Sequence, residues 1–132
     1  MAYVSFEELE VWKRSCRLAV QVYRLLRHCR DFGLKDQMTR AAVSIPSNVA
    51  EGAERNSSAE FIHFLHIAKG SAAELRTQAY IAHQVGLISK ENQESLTTEL
   101  KSLSAMLHAL IQSVNQKQSG PKTRPVLLTP NT

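Results

Sequence analysis

Apolar residues recur along this chain at alternating intervals of three and four, the period of helices that bury one face. Leu9, Trp12, Cys16, Ala19, Tyr23 and Leu26 form the first such stripe. It predicts a helix that opens at Ser5-Phe-Glu-Glu8, a capping-box sequence, and runs to about Arg30. On this reading Trp12 and Tyr23 are packing residues of the core. A second stripe lies beside the first: Val11, Leu18, Val22, Leu25 and Cys29. Two stripes exceed what one intramolecular seam requires, so Val11, Leu18, Val22 and Leu25 are expected to meet a second subunit.

Asp31-Phe-Gly33 breaks the pattern. Leu34, Met38, Ala41, Ile45, Val49 and Gly52 then keep helical period straight through Pro46. A loop has no reason to hold that period. The spacing predicts a helix over 34–54, kinked where the proline ring removes the N–H that would bond Ala42. Ser57-Ser-Ala-Glu60 is a second capping box, and behind it Phe61, Leu65, Ala68, Ala72, Leu75, Ala79 and Ala82 mark a third helix. Its Gly70 and Ser71 are small enough to let a neighbouring helix approach. Gly86 fits a C-terminal cap. A fourth helix starts at Ser89 and carries Leu96, Leu100, Leu103, Leu107, Leu110 and Val114. Four long amphipathic helices with short connections predict an all-α, up-down-up-down four-helix bundle over residues 1–116. Residues 117–132 hold three of the four prolines and are expected to form a flexible tail.

Composition narrows the class without changing the fold. Hydrophobic residues make up 43% and charged ones 21%, as in ordinary globular chains. No apolar run approaches the roughly 20 residues of a membrane span. The acidic start MAYVSFEELEVW lacks the basic-then-apolar order of a signal peptide. Cys16 and Cys29, on one predicted helix, would stand about 20 Å apart, too far for a disulfide. A cytoplasmic protein with two reduced thiols, no cofactor and no membrane contact is expected.

A polar stripe follows helix two: Arg40, Ser44, Ser47, Asn48, Glu51 and Arg55. Gly70, Ser71, Glu74 and Gln78 make a comparable stripe on helix three. Arg40, Ser44, Asn48, Glu51, Arg55 and Glu74 therefore form a candidate hydrogen-bonded network between helices or subunits. Removing one member of such a network, if buried, costs about 3–5 kcal/mol, while its net worth is near zero, so its role is to set register. It contains no His and no Cys, and no nucleophile–base pair is apparent elsewhere. The Glu60-Phe-Ile-His63 spacing is that of di-iron bundles, but those need a second such motif and two further glutamates. No metal site and no enzymatic activity are expected.

The segments SIPSNVAEG (Ser44 to Gly52), SSAEFIHFL (Ser57 to Leu65) and IAKGSAAEL (Ile67 to Leu75) resemble the bacterial four-helix-bundle proteins encoded in intervening sequences of large-subunit ribosomal RNA genes. The resemblance covers about residues 5–115. It implies a homo-oligomer, with relatives that are homopentamers. The chain is more distantly similar to accessory proteins of diversity-generating retroelements, basic pentameric bundles that engage a reverse transcriptase and RNA. The resemblance supplies no active site.

The formal net charge is +4, and its distribution is more telling than its sum. Between Val11 and Arg30 stand Lys13, Arg14, Arg17, Arg24, Arg27 and Arg30, with no acidic residue among them. Lys13, Arg17, Arg24 and His28 share the side opposite the apolar stripes. Lys13, Arg14, Arg17, Arg24 and Arg27 are the candidate phosphate contacts, and rRNA or another structured RNA the candidate partner. No aromatic residue is expected among these cations, so base stacking is not indicated. The alternative is a protein-interaction scaffold or accessory subunit whose basic face meets an acidic protein.

Overall fold

The computed structural model describes residues 5–118, which contain four α-helices and no strand. Helix α1 spans Glu10–Leu25, α2 Phe32–Ala53, α3 Ser58–Gln84 and α4 Lys90–Gln118. The expected tail begins two residues inside α4, and the rest of it lies outside the described residues.

Side-chain caps set most of the boundaries. Asp31 accepts from the Leu34 N–H at 3.0 Å, Ser57 from Glu60 at 3.1 Å, and Ser89 from Asn92 at 3.1 Å. Each satisfies one of the N–H groups that a first helical turn leaves unpaired. The break at Asp31-Phe-Gly33 is thus the cap and first turn of α2, which starts two residues earlier than the spacing predicts. Helix α1 differs more. Ser5 caps only a single 3-10 turn, Phe6–Glu8, and the α-helix begins after Leu9. At its other end α1 stops at Leu25, five residues short of the expected Arg30, because the chain must turn to reach the Asp31 cap. Gly86 closes α3 with φ of +82°, while the Leu87 N–H donates to the Ala82 carbonyl at 2.8 Å. This is the bond of a Schellman cap.

The core contradicts the expected use of the two stripes on α1. Val11, Leu18 and Val22 are buried in the chain's own core, and Leu25 is half-buried against it. Val11, Leu18 and Val22 therefore present no free surface to a second subunit. Tyr23, expected in the core, is 54% exposed. The core takes Val11, Leu18 and Val22 of the second stripe together with Ala19 and Leu26 of the first. Cys16 and Tyr23 fall to its edge. Trp12 keeps a packing role, half-buried and edge-on to Phe6 with ring centroids 5.3 Å apart.

Met38, Ala42, Ile45 and Val49 of α2, Leu65, Ala72, Leu75 and Ala79 of α3, and Leu96, Leu100, Leu103 and Leu107 of α4 complete the core. Contacts run in opposite senses along α2 and α3, and along α1 and α4, as between antiparallel neighbours. Gly52 near the end of α2 meets Phe61 and Phe64 near the start of α3, and Ser44 meets Ser71 at mid-length. Arg14 of α1 meets Glu99 of α4, while Gln21 meets Ser95. Helix α2 is unbroken through the buried Pro46. Among the described residues, no helix is long and apolar enough to cross a membrane.

Candidate nucleic-acid interface

With Leu18 and Val22 turned inward, the opposite line of α1 carries Lys13, Arg17, Val20 and Arg24, and Arg27 follows in the turn just past the helix, all exposed. Lys13, Arg24 and Arg27 form no ion pair among the described residues, and Arg17 meets only Glu10 at 3.6 Å across water-exposed surface. His28, expected on the same side, is exposed in the turn that follows α1.

Arg14 does not belong to this ridge. One step around the helix, it faces α4 and forms a two-pronged bond with Glu99, through Nε to Oε2 at 3.0 Å and Nη2 to Oε1 at 2.7 Å. Nη2 also donates to Ser102 Oγ at 2.9 Å. The hydrogen bond from Glu99 raises the Arg14 pKa above its ordinary value, outweighing the opposing effect of burial. A guanidinium held this way joins α1 to α4.

The flanks of the ridge differ in charge. The α1–α4 groove sets Arg14 and Arg17 against Glu91, Glu94 and Glu99, a surface that repels a polyanion along one wall. The α1–α2 groove, about 600 Å³, is lined by Ala19, Val20, Tyr23, Arg24, Arg27, Lys35 and Val43, with no acid among them. Lys35 was not a sequence candidate. The turn after α1 and the Asp31 cap bring it beside Arg27, whose carbonyl accepts from Lys35 Nζ at 3.3 Å. Only the short spacing across a predicted helix–helix turn could have pointed to it. The exposed ring of Tyr23 also reverses the expectation that no aromatic stands among the cations.

The polar stripe separates into unconnected pieces. Ser44 and Ser71 share a hydrogen bond of 2.8 Å between α2 and α3, and Asn48 Nδ2 donates to Ser44 Oγ at 2.9 Å. Arg55 pairs with Glu51 at 2.9 Å, approaches Glu60 at 3.6 Å and lies 4.7 Å over the Phe64 ring, tying the α2–α3 turn. Arg40 turns to solvent and pairs with Asp36. Glu74 is exposed, with Gln78 Nε2 at 3.5 Å. The residues expected to act as one buried network are thus mostly exposed, because Arg40, Ser47 and Glu51 follow the outer line of α2. The large cost of breaking a buried network does not apply to them.

Cys16, Glu60 and His63 each have a structural setting. Burial raises the Cys16 thiol above its ordinary pKa, the opposite of an activated nucleophile. Glu60 serves Arg55, and His63 packs edge-on against Phe64 with centroids 5.4 Å apart. No group of three or more His, Cys, Asp or Glu that could hold a metal ion occurs among the described residues.

Comparison with known proteins agrees with the helical architecture. A solved structure of a protein of unknown function from the S23 ribosomal protein family, from Bacteroides thetaiotaomicron, superposes with a TM-score of 0.72. It is 27% identical over 76% of this chain and 97% of its own. No curated protein matches the chain at a significant level. The family model described as 23S rRNA-intervening sequence protein matches residues 7–109, which include all of α1, α2 and α3 and most of α4. The chain belongs to the 23S rRNA-intervening sequence protein family.

Proposed function

We propose that this is a non-enzymatic, cytoplasmic, homo-oligomeric protein that binds structured RNA through the outer line of α1. The observation that carries this reading is the one-sided charge of that surface. Lys13, Arg17, Arg24 and Arg27 point outward with Lys35 beside them, and the nearest acids of α4 lie on the other flank. From Lys13 to Arg24 the ridge runs about 16 Å along α1, enough to follow several phosphates of one strand. A rigid helix of cations suits recognition by charge and shape, as for A-form RNA. Self-association is assigned to α3, where Ile67, Ile81 and Val85 remain exposed in a single chain.

The reading is tested by fluorescence anisotropy with a structured rRNA fragment across a salt series. About five phosphate contacts give a log–log slope near −4. The Arg17→Glu/Arg24→Glu double variant is expected to lose binding at salt levels where the native chain still binds. Absence of binding at low salt, or an unchanged variant, would sink the proposal. In that event a scaffold that docks a protein on the α3 face becomes the better account.

A further inference from the structure

Val20, Tyr23 and Val43 stand 48%, 54% and 41% exposed around the α1–α2 groove, ringed by Arg24, Arg27 and Lys35. Asp36 lies beyond Tyr23 but is already paired with Arg40 at 2.8 Å, so the rim keeps its positive charge. Neither half of this arrangement explains the other. A phosphate backbone needs the cations and has no use for the valines and the ring. An apolar helix from another protein would cover the floor and strand three cations at its edge. A nucleotide meets both demands, because its base has a flat π face and its phosphates are anionic. A paired base cannot present that face, since its neighbours in the duplex cover it. Bulges and loops can, and proteins take such bases on aromatic side chains. The groove volume of about 600 Å³ lies in the range that holds small ligands.

We infer that the α1–α2 groove receives one unpaired nucleotide of a structured RNA, its base on Tyr23 between Val20 and Val43, its phosphates on Arg24, Arg27 and Lys35. This rests on the reading of α1 as an RNA-binding surface and adds what that surface selects: a duplex interrupted by an extruded base.

The test compares two RNA hairpins that differ only by one bulged 2-aminopurine, with the full-length chain and its Tyr23→Leu and Tyr23→Phe variants. Tyr23 is half-exposed, so both variants are expected to keep the native far-ultraviolet circular dichroism. One stacked base should make the bulged hairpin bind about 5- to 100-fold tighter. Tyr23→Phe should keep that preference and quench the 2-aminopurine; Tyr23→Leu should lose both and still bind the plain hairpin. Equal, salt-sensitive binding of the two hairpins would overturn the pocket and leave the α1 reading standing. So would a bulge preference that survives Tyr23→Leu. Failure of both hairpins to bind would overturn pocket and reading together. A molar mass that drops on Tyr23→Leu, with no bulge preference, would mean that a second copy occupies the groove, and would overturn the inference as well.

Discussion

Arg14 and Arg17 are three residues apart in one run of cations, and nothing in their local sequence distinguishes them. Three residues turn a helix by 300°, which sends Arg14 toward α4 and leaves Arg17 on the outer line. Their substitutions should therefore act in different assays. Arg14→Ala removes a two-pronged, half-buried bond and strands Glu99 beside the core. It should cost on the order of 1–2 kcal/mol, a drop of several degrees in melting temperature for a domain of this size. The salt slope of RNA binding should not change. Arg24→Ala should leave the melting temperature within the small range of surface substitutions and reduce the slope by about one. Thermal melts and salt titrations on both variants check this. Equal loss of slope in the two would return Arg14 to the phosphate-contacting set. Neither outcome was readable from charge alone, because charge says which residues carry cations and only the helix phase says where they point.

At the scale of the helices, local sequence determines where each begins and ends more fully than which face it buries. The caps at Ser57, Gly86 and Ser89 are local chemistry and stand where their residues predict. The division of α1's two stripes between core and partner fails, since Val11, Leu18 and Val22 of the second share the core with Ala19 and Leu26 of the first while Tyr23 is left outside, and how wide a face the core takes depends on the helices packed around it. The small residues show the same limit. Gly70, expected to admit a close neighbour, has nothing within 4 Å of where a Cβ would sit. Gly52 has that role instead. A Cβ there would lie 2.7 Å from Phe64 Cβ and 3.2 Å from the Phe61 carbonyl oxygen, neither of which can rotate away. Alanine at the two positions should thus have opposite signs. Gly70→Ala should stabilise by about 0.5–1 kcal/mol through helix propensity. Gly52→Ala gains the same propensity but forces α2 and α3 apart, and overpacking of about 1–3 kcal/mol should leave it net destabilised. Denaturant midpoints for the two variants decide the matter, and stabilisation by Gly52→Ala would mean that the α2–α3 turn yields more easily than its contacts suggest.

For the whole molecule, the placement of exposed apolar surface bears on assembly. With Val11, Leu18 and Val22 inside the core, the proposed oligomer has to use another face. Ile67, Ile81 and Val85 share one side of α3, and Ile81 and Val85 stand 48% and 61% exposed. A closed ring is built from two different patches that meet head to tail, whereas a two-fold dimer pairs one patch with itself. If five copies close a ring, the α3 face of one chain meets a different surface on the next, and the outward lines of α1 repeat around the assembly. Each chain would then hold the same RNA more weakly alone than the ring does, because linked contacts raise the effective concentration of one another. Ile81→Glu separates these possibilities. The side chain is already half in water, so the fold should tolerate the charge, while an apolar contact should not. If the ring has five chains of 14.8 kDa, light scattering at micromolar concentration should give about 74 kDa, and 14.8 kDa for the variant. The variant's RNA affinity should fall although no cation has been removed, and its salt slope should shrink with the number of phosphates reached at once. A native mass of 14.8 kDa would remove self-association from the proposal and leave the α3 face as a surface for a different protein. A native mass of twice that value would mean that α3 pairs with itself, and the basic lines of two chains, not five, would then set the reach of the RNA contact.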